Sequence, residues 1–245
     1  MGRPPLSAVR KPGPRARAAA PATNKELREA SLLKLEESAI TCFLDAGVRT
    51  TSVEQIAARA GLTKGGFYFH FPRKEAMVAH ILSRIEREYV VRAIETADQA
   101  PTAKDKLVAL LHQQVLFARE HRQEVALLVL MSLEFRSDGE IGEQVRAVYD
   151  RIRNFVKGLF ESGQAKNEFT KALSAQALSH FYVAVHDGFL VEILRAGDLV
   201  DGPALVRVYR ETLLRGVAVE EAAARPIPRR QPRRGSSAPG RPRTS

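Results

Sequence analysis

The stretch Thr50–Phe71 reads TTSVEQIAARAGLTKGGFYFHF and predicts two short helices joined by a tight turn. Its first half places apolar side chains at positions i, i+3, i+4 and i+7, which form one face of a helix. These side chains are Val53, Ile56, Ala57 and Ala60. The spacing therefore predicts a short amphipathic helix that packs through this face.

The start and end of this first helix carry residues that commonly cap helices. Either Thr51 with Glu54 or Ser52 with Gln55 can form the capping box that begins it. Gly61 can end it, because glycine enters the left-handed region without steric cost.

The second helix is predicted over residues 64–70, with Thr63 as its N-cap. Gly65 and Gly66 lie in its first turn, where each costs roughly 1 kcal/mol of helix propensity. In return they let a helix N-terminus approach a surface closely, and its bare backbone donors suit phosphate. A cation, a phenol and an imidazole flank this position: Lys64, Tyr68 and His70. Helix, turn and helix in this order predict a unit that lays its second helix in a major groove of DNA.

The region Lys25–Met77 resembles the DNA-binding domain of the tetracycline-repressor (TetR) family. The matching positions read Gly47-x-x-Thr50-Thr51-Ser52-Val53-x-x-Ile56-Ala57-x-x-Ala60-Gly61-Leu62-Thr63-x-Gly65-x-Phe67-Tyr68-x-His70-Phe71-x-x-Lys74-Glu75. Three positions depart from the family pattern. Gly66 stands where Thr, Ser or Ala is frequent, Arg73 occupies a usual cap position, and Glu36 stands where the first helix usually has an apolar residue.

The resemblance implies that the protein binds double-stranded DNA as a homodimer. Carried over position by position, it assigns DNA contacts to nine residues: Thr51, Ser52, Thr63, Lys64, Gly65, Gly66, Tyr68, His70 and Lys74. The short recognition helix has few side chains that can read bases. A single copy should therefore bind weakly, and two copies related by a dyad should read a near-palindrome.

The positive charge is concentrated at the two ends of the chain. The formal net charge is +10, yet twelve of the 38 basic residues lie in residues 1–23 and 222–245, where no acidic residue occurs. The remainder has two more acidic than basic residues. Ten of the thirteen prolines lie in the same two segments. We therefore expect a disordered basic arm over 1–24 and a disordered basic tail over 221–245.

Composition also narrows the class of protein. The single cysteine, Cys42, excludes an internal disulfide and fits a reducing compartment. We find neither a run long enough to cross a membrane nor the apolar segment of a signal peptide. The sequence therefore predicts a cytoplasmic protein with no membrane partner.

The body of the chain predicts an all-α fold in two parts, because it has little interior proline and no alternating strand pattern. Residues 25–75 form the helix-turn-helix domain, with the motif itself at 52–71, and residues 76–220 form a helical effector-binding and dimerisation domain. A long helix from near Arg73 is expected to link the two. The segment from Glu124 is apolar on nearly all sides and predicts a central helix. Gly163 is predicted to end a long helix, and a further helix to resume from Thr170 to about Ala196.

The resemblance implies a small-molecule cavity in the second domain and a dimer interface formed by the last two helices. Candidate cavity residues are the aromatic or polar groups within apolar runs: His112, Phe117, Met131, Glu134, Phe135, Tyr149, Phe155, Phe181, Tyr182 and His186. A mostly apolar pocket with a few polar groups would suit an apolar or amphipathic ligand. The sequence does not identify that ligand.

Neither a catalytic site nor a cofactor or metal site is expected. His180 and His186 lack the i, i+4 spacing with which one helix chelates a metal, and His186 and Asp187 are helix neighbours that do not face each other. The sequence therefore favours a ligand-responsive repressor. Two alternatives stay open, which are a transcriptional activator and a sequence-tolerant nucleoid-binding protein that uses its basic ends.

Overall fold

The computed structural model describes residues 23–136, 139–196, 199 and 201–218. These residues fold into helices and contain no strand, apart from one isolated antiparallel bridge between Phe169 and Ala218. The predicted all-α fold is confirmed. The basic arm and tail lie outside the described residues, except that Thr23 caps the first helix and Asn24 begins it.

Three helices form the N-terminal unit: α1 Asn24–Ala46, α2 Val53–Arg59 and α3 Lys64–His70. Each contributes a side chain that is fully buried at their junction, namely Phe43, Ile56 and Phe67. The two short helices of the predicted motif therefore form as expected, and α1 supports them from below.

The caps predicted from the sequence are present, and the structure selects between the two possible capping boxes. Ser52 Oγ accepts from Gln55 N at 3.2 Å, and Gln55 Oε1 accepts from Ser52 N at 2.8 Å. Gly61 has φ +70°, which is the left-handed conformation expected of it. The angle between α2 and α3 is thus set by local residues.

The link between the two halves is one continuous helical path of three stretches: α4 Lys74–Ile85, a π-helical segment Glu86–Val91, and α5 Arg92–Asp98. The long helix predicted from near Arg73 is therefore present, but the π-helical turn within it was not predicted. Such turns are rare and lie frequently at functional sites.

The C-terminal half contains five further helices: α6 Ala103–Glu120, α7 Arg122–Glu134, α8 Gly139–Ala165, α9 Ala175–Ala196 and α10 Gly202–Val217. Helix α7 packs against α1, α4, α6, α8 and α9. Its predicted central position is confirmed, and its contact with α1 brings the two halves of the molecule together.

The predicted end of α8 and the predicted start of α9 are wrong, whereas the predicted end of α9 near Ala196 is confirmed. Helix α8 continues through Gly163 to Ala165, because Gly163 serves close packing rather than helix termination. A Cβ at this position would lie 2.6 Å from Phe169 Cε2, so only glycine admits the fully buried Phe169 ring. The chain stays non-helical to Ser174, since Gln164 Nε2 donates to the carbonyls of Thr170 and Leu173 at 2.8 and 2.7 Å.

Helix α9 is long and apolar enough to cross a membrane by length and composition, although core helices of globular proteins pass the same test. It packs against α7 and α8. One face is nevertheless exposed, and it carries Phe181, which is 51% exposed, together with three small residues, Ala177, Ala184 and Gly188. This face is apolar, and none of the described residues covers it.

Candidate DNA interface and effector cavity

The start of α3 is built for close approach. Thr63 Oγ1 accepts from Gly66 N at 3.1 Å, which fixes the first turn. A Cβ on Gly65 would meet only Thr63 Oγ1, at 3.7 Å, so the glycine is not required by packing inside the protein. Its bare backbone therefore faces outward beside the exposed side chains of Lys64 and Tyr68.

Lys64 and Tyr68 are the polar side chains that α3 presents to solvent. Lys64 Nζ lies 2.5 Å from Glu54 Oε1 on α2, and both side chains are more than half exposed. This hydrogen bond raises the pKa of Lys64 and lowers the pKa of Glu54. The same ammonium lies 5.9 Å from the centre of the Tyr68 ring. A cation and a phenol thus stand together where a phosphate would approach.

Two residues predicted to contact DNA point inward instead. Thr51 is buried, and its hydroxyl donates to the carbonyl of Gly47 at 2.7 Å, so its side chain is unavailable to phosphate. Lys74 Nζ donates to three carbonyls, those of Val48, Arg49 and Thr51, at 2.7, 3.2 and 2.7 Å. An ammonium has three protons to donate. These two side chains hold the loop before α2 in place, and their contact with DNA stays a prediction.

The remaining predicted contacts have mixed positions. Ser52 and Thr63 are helix caps near the surface, and Gly66 lies within α3. His70 is half-buried, with its Nε2 2.8 Å from Ser31 Oγ on α1. Burial, with a smaller effect from Arg28, lowers the pKa of His70. The imidazole is therefore neutral near pH 7 and ties α3 to α1.

Glu134 and Phe135 were predicted to line the cavity but lie at the joint between the two halves. Glu134 accepts hydrogen bonds from the backbone amides of Val48 and Arg49, at 3.1 and 2.7 Å. The Arg49 guanidinium lies 4.7 Å from the centre of the buried Phe135 ring. The end of α7 therefore binds the loop that precedes the helix-turn-helix. Lys74 binds the carbonyls of the same loop.

A second joint uses Glu36, the residue that departs from the family pattern. Although Glu36 is buried, its carboxylate is 2.8 Å from His80 Nε2 and 3.1 Å from Arg84 Nε, both on α4. Arg84 also lies 3.5 Å from Glu124 on α7. An acid is tolerated at this position because buried charges persist where they are paired.

A cavity of about 510 Å³ lies between α6, α9 and α10, a size suited to a small molecule. Its buried floor is mostly apolar and consists of Leu111, Val125, His186, Leu190 and Tyr209. Its exposed rim consists of His112, Arg119, Arg122, Leu194 and Pro203. Two of the predicted cavity residues, His112 and His186, are therefore brought together here.

Buried hydrogen bonds connect the cavity floor to the linking helix. His186 Nε2 contacts the Tyr89 hydroxyl in the π-helical segment. Tyr182 donates to Gln114 Oε1 at 2.6 Å, and Tyr209 donates to the Tyr182 carbonyl at 3.2 Å. These bonds give His186 Nε2 and the Tyr209 hydroxyl partners within the protein and leave the floor mostly apolar.

A second space, of about 20 Å³, lies next to this network and is just large enough for water. It is bounded by two predicted residues, Tyr149 and Tyr182, and by Asp187. Burial raises the pKa of Asp187 to about 6, against the opposing effects of Tyr149 and Arg153, and lowers the pKa of His186 to about 4. This space is part of the polar network rather than a ligand site.

Four further predicted cavity residues lie elsewhere. Met131 is fully buried in the core, and Phe155 packs against the core from a half-buried position. Phe181 faces outward from α9. Phe117 stacks on His121 with ring centres 4.4 Å apart. An apolar helical position looks the same in sequence whether it faces a core, a cavity or solvent, which is why the sequence could not separate these positions from the cavity lining.

Most of the cavity lining was not predicted from the sequence, and four polar residues of the cavity and its network show why. Arg119 and Arg122 resembled ordinary solvated charges, and Tyr89 and Gln114 resembled members of an apolar stripe. A polar residue within a strongly apolar stripe, such as Gln114, was a signal that could have identified the network. Among the described residues, no group of three His, Cys, Asp or Glu side chains is placed to hold a metal.

Comparisons with known proteins match both halves of the chain. The sequence family described as bacterial regulatory proteins of the tetR family matches residues 36–81, and the family described as the C-terminal domain of BetI-type transcriptional repressors matches residues 103–218. The HTH-type transcriptional repressor KstR2 of Rhodococcus jostii (strain RHA1) is 39% identical over 210 residues, covering 81% of this chain and 96% of the relative.

Other similar proteins include a second repressor and a solved structure. The HTH-type transcriptional repressor BepR of Brucella suis biovar 1 (strain 1330) is 29% identical over 182 residues, covering 69% of this chain and 81% of the relative. The crystal structure of the MbdR regulator from Azoarcus sp. CIB superimposes with a TM-score of 0.69 at 32% identity, covering 77% of this chain and all of that chain. The chain belongs to the TetR family of DNA-binding transcriptional regulators.

Proposed function

We propose that this regulator is a homodimeric repressor that leaves a palindromic operator when a small-molecule effector occupies the cavity between α6, α9 and α10. The observation that carries the proposal is the contact between His186 and Tyr89. It ties the floor of the cavity to the helical path that leads to the helix-turn-helix. The relatives named as repressors support the sign of regulation.

Two regions divide the work. Residues 25–75 bind DNA, and residues 76–220 bind the effector and the second copy of the chain. The regulator acts in the cytoplasm, where bacterial DNA lies. The joints at Glu36 and Glu134 lie between these regions and connect them rigidly.

The exposed apolar face of α9 supports dimerisation. Ala177, Phe181, Ala184 and Gly188 recur at i, i+4, i+7 and i+11 along one side of that helix. Val208 on α10 is 59% exposed and adds an apolar side chain on the adjacent helix. Small residues along the stripe permit close approach of a second α9, and burial of such a face is the main source of affinity between subunits.

The effector can act only through a difference in its affinity for two conformers of the dimer. One conformer spaces the two α3 helices for successive major grooves, about 34 Å apart. The other does not. We assign the difference to the π-helical segment Glu86–Val91, because it is the irregular turn in the path between cavity and DNA.

Sedimentation of two charge-introducing variants tests the dimer. Phe181→Asp should sediment as a monomer and lose most operator binding, since one recognition helix binds weakly. Leu173→Asp is the matched control, because Leu173 is 47% exposed but precedes α9 and lies off the stripe. A Phe181→Asp variant that stays dimeric would show that another surface forms the dimer.

Transcription in vitro tests the sign of regulation. A promoter that carries an operator obtained by binding-site selection should yield less transcript as protein is added. The variant Tyr68→Ala, added in place of the wild type, should leave the transcript at its original level. An increase in transcript on addition of the protein would identify an activator and contradict the proposal.

A further inference from the structure

We propose that the effector is an amphipathic anion, with an elongated apolar body on the cavity floor and a carboxylate or phosphate head at Arg119 and Arg122. This inference rests on the proposed function, because it names the chemical class of ligand for the same cavity. In this proposal, the arginines of the rim recognise the negative charge of the ligand.

The floor selects an apolar body. Leu111, Val125 and Leu190 are buried aliphatic residues that face the cavity. His186 Nε2 and the Tyr209 hydroxyl already have partners within the protein, since they contact the Tyr89 hydroxyl and the Tyr182 carbonyl. A polar ligand group placed beside these two atoms would therefore lose its water without gaining a new hydrogen bond.

The rim selects a negative head. Arg119 and Arg122 line the cavity at the end of α6 and the start of α7, and both are exposed. Among the described residues neither lies within ion-pair distance of a carboxylate, and Arg122 donates only to the Ile193 carbonyl, at 3.4 Å. Several other arginines of this half are paired, as Arg84 is with Glu36 and Arg151 with Glu86. The two guanidinium groups are thus available to a ligand.

Charge at the described part of the cavity wall is of one sign. The lining residues that the structure describes include two arginines and two histidines but no aspartate or glutamate. A cationic head would meet repulsion without any compensating carboxylate, and rejection of this kind contributes to specificity as much as attraction does. Arginine is also well suited to bind carboxylate or phosphate through two parallel hydrogen bonds.

The spacing along α6 suits a long ligand. Leu111 and Val115 precede Arg119 on the cavity side of this helix. From Leu111 to Arg119 the helix rises roughly 12 Å, at about 1.5 Å per residue. An extended alkyl or fused-ring body of about this length would place its acidic end beside the arginines.

Competition with a bound dye tests this class of ligand on the full-length protein. Anilinonaphthalene sulfonate serves as the dye, and the competitors are laurate, dodecyl phosphate, dodecanol and dodecyltrimethylammonium, all below their micelle concentrations. One or both anions should bind at least about tenfold more tightly than dodecanol, and the cation should bind more weakly than dodecanol. The order of laurate and dodecyl phosphate identifies the type of acidic head.

Two double variants with the same loss of charge locate the effect. Arg119→Gln with Arg122→Gln should reduce the preference for the anions to about parity with dodecanol while dodecanol binding is unchanged. Arg146→Gln with Arg195→Gln changes exposed arginines outside the cavity and should keep the preference. Equal binding of all four compounds, no binding of any, or a preference that survives the first double variant would overturn the inference.

A single tryptophan reports occupancy directly, because the chain contains none. Phe189→Trp replaces one aromatic ring of the lining by another. Its emission should change and saturate with the anions at the concentrations that displace the dye, and an unchanged emission would place the binding elsewhere. Operator binding without ligand is measured separately. A failure of the proposed ligand class can therefore be told apart from a failure of the proposed DNA-binding function.

Discussion

Glu134 at the end of α7 accepts a 2.7 Å hydrogen bond from the backbone amide of Arg49, 85 residues earlier in the chain. This contact passes from the effector half of the molecule to the loop that begins the helix-turn-helix. A movement of α7 would therefore be transmitted to α2 without passing through α4. The cavity reaches α7 at Arg122 and Val125, so ligand and loop share one helix.

Removal of the Glu134 carboxylate should weaken this joint. Glu134→Ala leaves the amides of Val48 and Arg49 without their acceptor, which costs about 1–3 kcal/mol of unfolding free energy. Glu134→Gln keeps one acceptor oxygen and should lose less. The unfolding free energy is measured by urea denaturation and should decrease from the wild type to Glu134→Gln to Glu134→Ala. Operator affinity should decrease in the same order. Equal values for the alanine variant and the wild type would show that the joint contributes nothing.

The pairing of Lys64 with Glu54 should restrain DNA binding. Glu54→Gln releases the ammonium and removes a negative charge close to the expected position of phosphate. We predict that operator affinity rises about threefold. The slope of log affinity against log salt concentration should also become steeper, by an amount that corresponds to up to about one further phosphate contact. Titrations at several salt concentrations measure both. Glu143→Gln on α8 is the control, and an identical gain there would indicate a general charge effect.

Two adjacent buried groups should have opposing effects on stability in acid. His186 has a pKa of about 4 in the folded protein against 6.5 ordinarily, so the unfolded chain binds the extra proton and stability falls as pH decreases from 6.5 to 4. Asp187 has a pKa of about 6 against 3.8, so the folded chain binds the proton and stability rises over nearly the same range. Each contribution is about 3 kcal/mol at most, and the two nearly cancel.

Asp187→Asn should reveal the histidine contribution alone. The unfolding free energy of this variant should decrease between pH 6.5 and pH 4 by up to about 3 kcal/mol relative to the wild type. Urea denaturation across this range is the measurement. His186→Gln should show the reverse trend, because it leaves only the aspartate. Parallel pH profiles for all three proteins would contradict the assignment.

Two glycines of α8 should respond oppositely to alanine. Gly163→Ala places a methyl group against the Phe169 ring and should destabilise the protein by about 1–3 kcal/mol. Gly158→Ala meets nothing within 4 Å and should stabilise it by about 0.5–1 kcal/mol. Thermal unfolding of both variants checks this, and equal shifts would refute the packing role of Gly163.

Local features were predictable from the sequence because the residues that fix them are neighbours. The Ser52–Gln55 capping box and the bond from Gly66 to Thr63 each join residues three apart, and with Gly61 between them they define the helix-turn-helix. The apolar character of the segment from Glu124 likewise indicated a central helix, because helix packing follows from apolar faces.

Features that depend on distant partners were not predictable. Nothing near Glu134 indicates that its carboxylate serves a loop 85 residues away, and Lys74 resembles a DNA contact until the carbonyls around it are seen. Gly163 lies where a helix could end, but a ring six residues later requires it for packing. Most of the cavity lining was not predicted because it arises from four helices, α6, α7, α9 and α10, that come together only in the fold.

Selection of binding sites from a random duplex library, with full-length protein at physiological salt, tests the central claim most directly. We predict enrichment of an inverted repeat whose half-sites lie about one helical turn, or a multiple of one, apart, since two α3 helices related by a dyad would read it. Recovery of unrelated sequences, all released by moderate salt, would instead identify sequence-tolerant binding through charge and would contradict the dimeric repressor.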